Sequence, residues 1–257
     1  MNQPMRTIAL TSGKGGTGKT CVAANLGIAL AAQGHRVVVF DADLQLANLD
    51  VALGIKAPYG LQHVVNEERS LRDILCPGPG NIRVVTGGSA IPALMSAGPK
   101  RMGTFLRQIE DLAHDTDFLL FDTGAGLDSR VFTFVGFAQQ AILVTTPDPT
   151  SVTDAYATVK VATRRAPATE FGLLVNMVSE MKDANGVHAA LARVCESYLG
   201  VTLPLLGYLH ADDEVAAATR KRQCFVLTAP RSRAAREMNA LAISLANGQF
   251  QPMLRMA

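Results

Sequence analysis

Eight consecutive residues, Gly13-Lys14-Gly15-Gly16-Thr17-Gly18-Lys19-Thr20, constrain this chain more than any other feature in it. They fit G-x-x-x-x-G-K-[ST], directly after an apolar run of strand type, Thr7–Leu10, and directly before a segment of helical period, Thr20–Gln33. A glycine-rich turn in that position lets the backbone curl so that successive N–H groups point inward. With the positive end of the following helix, those groups can hold anionic phosphates. Lys19 is expected against the β- and γ-phosphates, the Thr20 hydroxyl on Mg²⁺, and the backbone from Gly13 to Cys21 around the phosphates. The plain alternative is a glycine-rich strand-to-helix turn that binds nothing.

The rest of the chain fits that start. Short apolar runs recur at Val37–Phe40, Ile82–Val85, Phe118–Phe121, Ala141–Thr145, Gly172–Val175 and Leu205–Leu209. Helical patterns lie between them, at Lys100–His114, Thr150–Arg165, Val187–Leu199, Asp213–Lys221 and Arg233–Asn247. Strands that are almost wholly apolar must be covered on both faces, so the pattern predicts an α/β fold: a doubly wound, mostly parallel sheet with helices on both faces. With 257 residues and 48% hydrophobic against 18% charged, the chain has enough apolar material for one such core. No linker or repeat interrupts it, which predicts a single P-loop NTPase domain over 1–247 and a tail over 248–257. Cys76–Asn81, rich in Pro and Gly, reads as a turn into a strand.

Two strand ends carry acids. Val37–Phe40 runs into Asp41-Ala42-Asp43, so both carboxylates leave the carboxyl edge of the sheet, where ligands of open α/β sheets bind. Spacing alone supports an acidic pair near the phosphates; two turn aspartates would look the same. Phe118–Phe121 ends in Asp122-Thr123-Gly124-Ala125-Gly126, the Walker B pattern of four apolar residues and an aspartate that holds the Mg²⁺ shell. Gly124 and Gly126 would let the backbone approach the γ-phosphate and act as a switch.

Other readings are narrowed by what the sequence contains. Lys+Arg 24 against Asp+Glu 22 gives +2, too balanced to mark a polyanion binder by charge alone. A late cluster, Arg220-Lys221-Arg222 with Arg231, Arg233 and Arg236, could contact DNA phosphates, but a solvated face or an acidic partner is preferred. Cys21, Cys76, Cys195 and Cys224 have no metal-ligand spacing and are read as free thiols; His35, His63, His114, His188 and His210 are given no chemistry. No apolar run approaches the ~20 residues of a membrane span, and a cytoplasmic protein is expected. Met238, Leu241, Ala242 and Leu245 read as the core face of the last helix, and Gly248–Ala257 makes a poor membrane anchor.

The second lysine of the loop, Lys14, makes it K-G-G-x-G-K-T, which resembles the deviant Walker A signature of the MinD/ParA class of dimerising ATPases. The resemblance implies that Lys14 reaches across a face-to-face dimer to the partner's nucleotide, with a monomer prevailing without ATP. It also implies that Asp43 positions the attacking water, that Asp41 contacts the metal shell through water, and that Asn176 contacts adenine. The adenine-side loop of relatives, Ile-Pro-x-Asp, reads Leu209-His210-Ala211-Asp212 here, without the proline. No Asn-Lys pair exists, so the N-K-x-D guanine signature is missing. Asp41–Asp50 with Val51–Gly54, Asp148–Lys160, Leu174–Met177 and Ala229–Ala234 are similar to the flagellar-number regulators of the FleN/FlhG branch. Thr150 or Ser151 in the second of these would cap a helix.

That branch implies a Mg²⁺-dependent ATPase whose ATP-sandwiched dimer restrains a flagellar AAA+ transcription activator and so limits flagellar number; it leaves a polar position open. The alternative is a positioning ATPase of the MinD or ParA type acting on membrane or chromosome. Stimulation of the flagellar targeting GTPase is not expected, since the residues before the first strand do not fit D-Q-A-x-x-L-R.

Overall fold

The computed structural model describes residues 4–43, 48–87, 90–96 and 98–250. In chain order the elements are β1 Arg6–Ser12, α1 Lys19–Ala31, β2 Val37–Ala42, α2 Leu49–Leu53, α3 Leu61–Val65, β3 Cys76–Pro77, β4 Arg83–Val85, α4 Ala90–Ser96, α5 Gly98–Asp111 and β5 Phe118–Ala125. They continue with α6 Ser129–Phe137, β6 Gln140–Thr145, α7 Pro149–Arg165, β7 Glu170–Val178, α8 Met181–Leu199, β8 Leu205–His210, α9 Asp213–Arg220, α10 Phe225–Thr228 and α11 Arg233–Ala246.

The strands form one sheet in the order β3-β4-β2-β5-β1-β6-β7-β8, and only the β3–β4 pair is antiparallel. The two-residue period of a strand decides which core each side chain enters. Ile8, Leu10, Val37, Val39, Leu120, Ile142, Val144 and Leu174 point into a cluster with α1 and α11, while Ala9, Val38, Phe40, Leu119, Phe121, Leu143 and Leu173 point into one with α5 to α8. Both faces are therefore sealed, as expected from strands with no polar face. The last helix buries Met238, Leu241, Ala242 and Leu245 as its sequence stripe predicts, and Phe250 just beyond it packs into the same core. Met253, Leu254, Arg255 and Met256 of the expected tail lie outside the described residues, as do residues 44–47 of the Asp41–Asp50 segment.

The seven strands expected from the sequence all form, and the Cys76–Asn81 turn adds an eighth, two-residue strand at the edge. The pairing that positions the site is central: β1 lies between β5 and β6, and β2 lies beyond β5. Asp41 is thereby opposite Asp122 in the parallel ladder, and Leu10 opposite Asp122 from the other side. The loop after β1 and both acidic strand ends converge at one edge.

Candidate functional site

The glycine loop is shaped by what presses on it. Gly16 and Gly18 have φ of 82° and 87°, the left-handed region that a side chain rarely adopts. A Cβ on Gly18 would also stand 2.5 Å from the Asn176 amide nitrogen, and one on Gly13 would collide with the backbone carbonyl of Asp154 in α7. The loop is thus wedged between β7 and α7. Asn176 Nδ2 donates to the Thr17 carbonyl at 2.8 Å, Ser12 Oγ donates to the Lys14 carbonyl at 2.8 Å, and the Gly126 N–H donates to the Ser12 carbonyl at 2.9 Å. The segment after β5 is tied to the loop by that last bond.

Lys19 is buried, with its ammonium acting on Asp122, and the Thr20 hydroxyl bonds the same carboxyl group. Burial nevertheless pushes Asp122 up to about 6, and burial with the neighbouring Asp122 charge pushes Asp41 up to about 8. One Asp122 oxygen and the Thr17 hydroxyl are buried without a hydrogen-bond partner. The crowded carboxyl groups of Asp41 and Asp122, the latter with one orphaned oxygen, and the Thr20 hydroxyl form a hard oxygen donor set of the kind Mg²⁺ takes. Asp41 accepts from the N–H groups of Asp43 and Leu49, each at 3.1 Å.

Lys14 stands apart from this group. Its ammonium donates to Thr150 Oγ1 at 2.6 Å and pairs with Asp148 at 3.4 Å, on the first turn of α7. Asp148 is held down to about 2, chiefly by the Thr150 hydroxyl and then by the Ser151 N–H. The cap of α7 is Asp148, which accepts from the N–H groups of Thr150 and Ser151, and not Thr150 or Ser151 as the sequence suggested. The helix starts at Pro149, whose missing N–H costs nothing there, so the capping position falls one residue before it.

A cavity of about 550 Å³ runs from the loop past Lys19, Thr20, Cys21 and Asp43 to Asn48, Val51 and Ala52 of α2 and to Thr219, Arg222, Gln223 and Cys224. Most of the far wall was missed in the sequence, because it is assembled by a contact between distant elements. Asn25 makes that contact, taking the Val226 N–H on its oxygen at 3.1 Å and donating to the Cys21 carbonyl at 2.8 Å. The thiols of Cys21 and Cys224 are raised to about 11 and about 12 by burial, so they line the wall as protonated, unreactive groups. Asp212 is a double cap: its oxygens accept from Glu214 N–H at 3.0 Å and Ala234 N–H at 3.2 Å, joining α9 to α11. The Ala229–Ala234 block therefore folds as a junction, with Ser232 capping α11.

A parallel doubly wound sheet with this loop between its central strand and first helix defines a P-loop NTPase. The family profile described as ParA, NUBPL iron-transfer P-loop NTPase, matches residues 3–246. The chain belongs to this ParA/MinD family of P-loop NTPases. It is 38% identical over 239 residues to the antiactivator FleN of Pseudomonas aeruginosa, covering 93% of this chain and 85% of that protein. It is 33% identical to the flagellum site-determining protein YlxH of Helicobacter pylori, covering 87% and 76%. The septum site-determining protein MinD complexed with Mg-ADP, from Pyrococcus horikoshii, superposes with a TM-score of 0.78 at 28% identity, covering 94% of this chain and 96% of that one.

Proposed function

We propose that this protein is a Mg²⁺-dependent ATPase switch whose ATP-sandwiched homodimer restrains the flagellar master transcription activator and so limits flagellar number. The observation that carries the enzymatic half is the convergence of buried Lys19 and Asp122 with the half-buried Thr20 beneath the glycine loop. Likeness to FleN over nearly the whole chain supports the regulatory half.

Each residue has a task in this reading. The backbone from Gly13 to Cys21 cradles the phosphates and Lys19 neutralises the β- and γ-oxygens. Thr20, Asp122 and, through water, Asp41 hold Mg²⁺, which screens the charge that develops on the transferred phosphoryl group. Asp43 orients the attacking water, Asn176 contacts adenine, and Gly126 gives the γ-phosphate room. Lys14 serves the partner's nucleotide, for which it must leave Thr150 and Asp148. Residues 1–247 make up the ATPase unit.

The test is genetic and biochemical together. Deleting the gene should give extra flagella, and the parent protein should restore the normal number. Lys19→Ala should fail to restore it, because it removes the buried cation at the phosphates and with it tight ATP binding, while the melting transition stays cooperative. The likeness to MinD structures supports a second reading, a positioning ATPase. Normal flagellar number with misplaced division sites in the deletion strain would favour it.

A further inference from the structure

Asp41 is buried to 1% exposure, and its two oxygens accept different backbone N–H groups. Oδ1 takes the N–H of Asp43, which has just left β2, and Oδ2 takes the N–H of Leu49, which opens α2. The residue before α2, Asn48, makes no side-chain cap, so the first N–H of that helix is satisfied by Asp41 from the sheet. Leu49 itself is fully buried in the core shared with α1, which anchors the far side of the bond. Each end of the clasp borders the cavity: Asp43 lines it directly, and α2 supplies Val51 and Ala52. The Asp43 carboxylate lies over Gly124, where a Cβ would come within 3.3 Å of its Oδ1.

We propose that Asp41 is a positioning residue of this site: by accepting the Asp43 and Leu49 amides it holds the Asp43 carboxylate and the α2 wall in register with the glycine loop. The role is exercised through backbone and needs no contact with nucleotide or metal. It rests on the reading of the site as that of an ATPase and goes beyond the metal-shell role. Both oxygens of a carboxyl group can accept from an amide; asparagine offers one acceptor oxygen, and its NH₂ would face a donor. Glutamate keeps the charge but carries both acceptors one methylene too far.

The variants are therefore Asp41→Asn and Asp41→Glu, each checked first for a cooperative melting transition. In Asp41→Asn, hydrogen exchange at the Asp43 or Leu49 amide in nucleotide-free protein should accelerate about tenfold, the equivalent of one hydrogen bond. ATP affinity should be retained, and single-turnover hydrolysis should fall on the order of 10²-fold and stay low at saturating Mg²⁺. Asp41→Glu should behave alike, since acceptor position and not charge is what it lacks. Unchanged exchange at both amides overturns the proposal. So does turnover that returns at high Mg²⁺ or with Asp41→Glu, which would make the charge on the metal shell the whole role. A parent protein without hydrolysis would overturn the ATPase reading instead, and the exchange measurement would still decide the clasp.

Discussion

Asp122 is held in a place that costs stability. Its folded-state pKa, about 6, stands above the ordinary 3.8, because burial outweighs the pull of Lys19 and Thr20. A carboxyl group raised in this way binds more protons folded than unfolded across that window. Stability contributed by the protonated form is thus fully present below the ordinary value, falls as pH rises toward about 6, and is level above. A shift of that size is worth on the order of 1–3 kcal/mol. Asp122→Asn should therefore melt higher than the parent at pH 8 without nucleotide, with the advantage shrinking as pH is lowered toward 4. The same variant should lose turnover and the added stabilisation by ATP with Mg²⁺. Scanning calorimetry at the two pH values decides it: a variant that melts below the parent at pH 8 would remove the burial cost as the cause. Asp41, raised to about 8 by burial and by Asp122, carries the same sign. A site that stability alone would rebuild, and that persists, is a common mark of function.

The glycine loop is set by its contact with α7 as much as by its own conformation. Gly13 lies against the Asp154 carbonyl with no space for a methyl group, and Lys14 is bonded to the first turn of the same helix. Gly13→Ala must push the loop off α7, and a displacement near 1 Å at the phosphates should reduce turnover on the order of 10²-fold. Because the collision is local, the melting transition should move much less than the activity. Parallel measurements of melting and single-turnover hydrolysis on Gly13→Ala would test this, and normal turnover would mean that α7 yields and not the loop. Element by element, the sequence was most legible where burial is two-sided: β1, β2 and β5 to β8 have no polar face to confuse the period. It was least legible in α2, α3 and α4, which span seven residues or fewer and show too few turns for a helical period. The helix α6 has no clear helical signature because Ser129–Phe137 is rich in Val, Phe and Thr, residues that favour strands, although Asp128 caps it. Met181 begins α8 six residues before the first residue expected, since Asn185-Gly186 imitates a turn. At the site, Lys19, Thr20 and Asp122 were legible because the motif fixes their offsets. Thr219, Arg222 and Gln223 were not, because Asn25 and tertiary packing bring them in.

On the scale of the molecule, the edge of the sheet that bears the loop also bears apolar side chains that water should not face. Val51 beside the cavity, Leu127 just beyond Gly126, Met177 near the end of the loop-bracing strand β7 and Met181 at the start of α8 are each 45–51% exposed. Among the described residues no helix is long and apolar enough to cross a membrane, so a transmembrane helix does not explain this face. A face-to-face dimer would cover it, and Lys14 and Met177 both line a cavity of about 400 Å³ on the same edge. In a two-fold dimer every substitution is made twice across one interface. Losing the burial of one large apolar side chain costs about 1.5–3 kcal/mol, so Leu127→Glu should weaken the proposed ATP-dependent dimer by at least about 10²-fold even before charge repulsion. Leu127 is half exposed and lines none of the cavities described above, so nucleotide affinity of the monomer and its melting transition should stay near parental values. Light scattering during chromatography, with ATP and in an Asp43→Ala background that prevents hydrolysis, reads the association directly. If Leu127→Glu dimerises like its parent there, the dimer does not use this face, and Lys14 must then act on the phosphates of its own subunit.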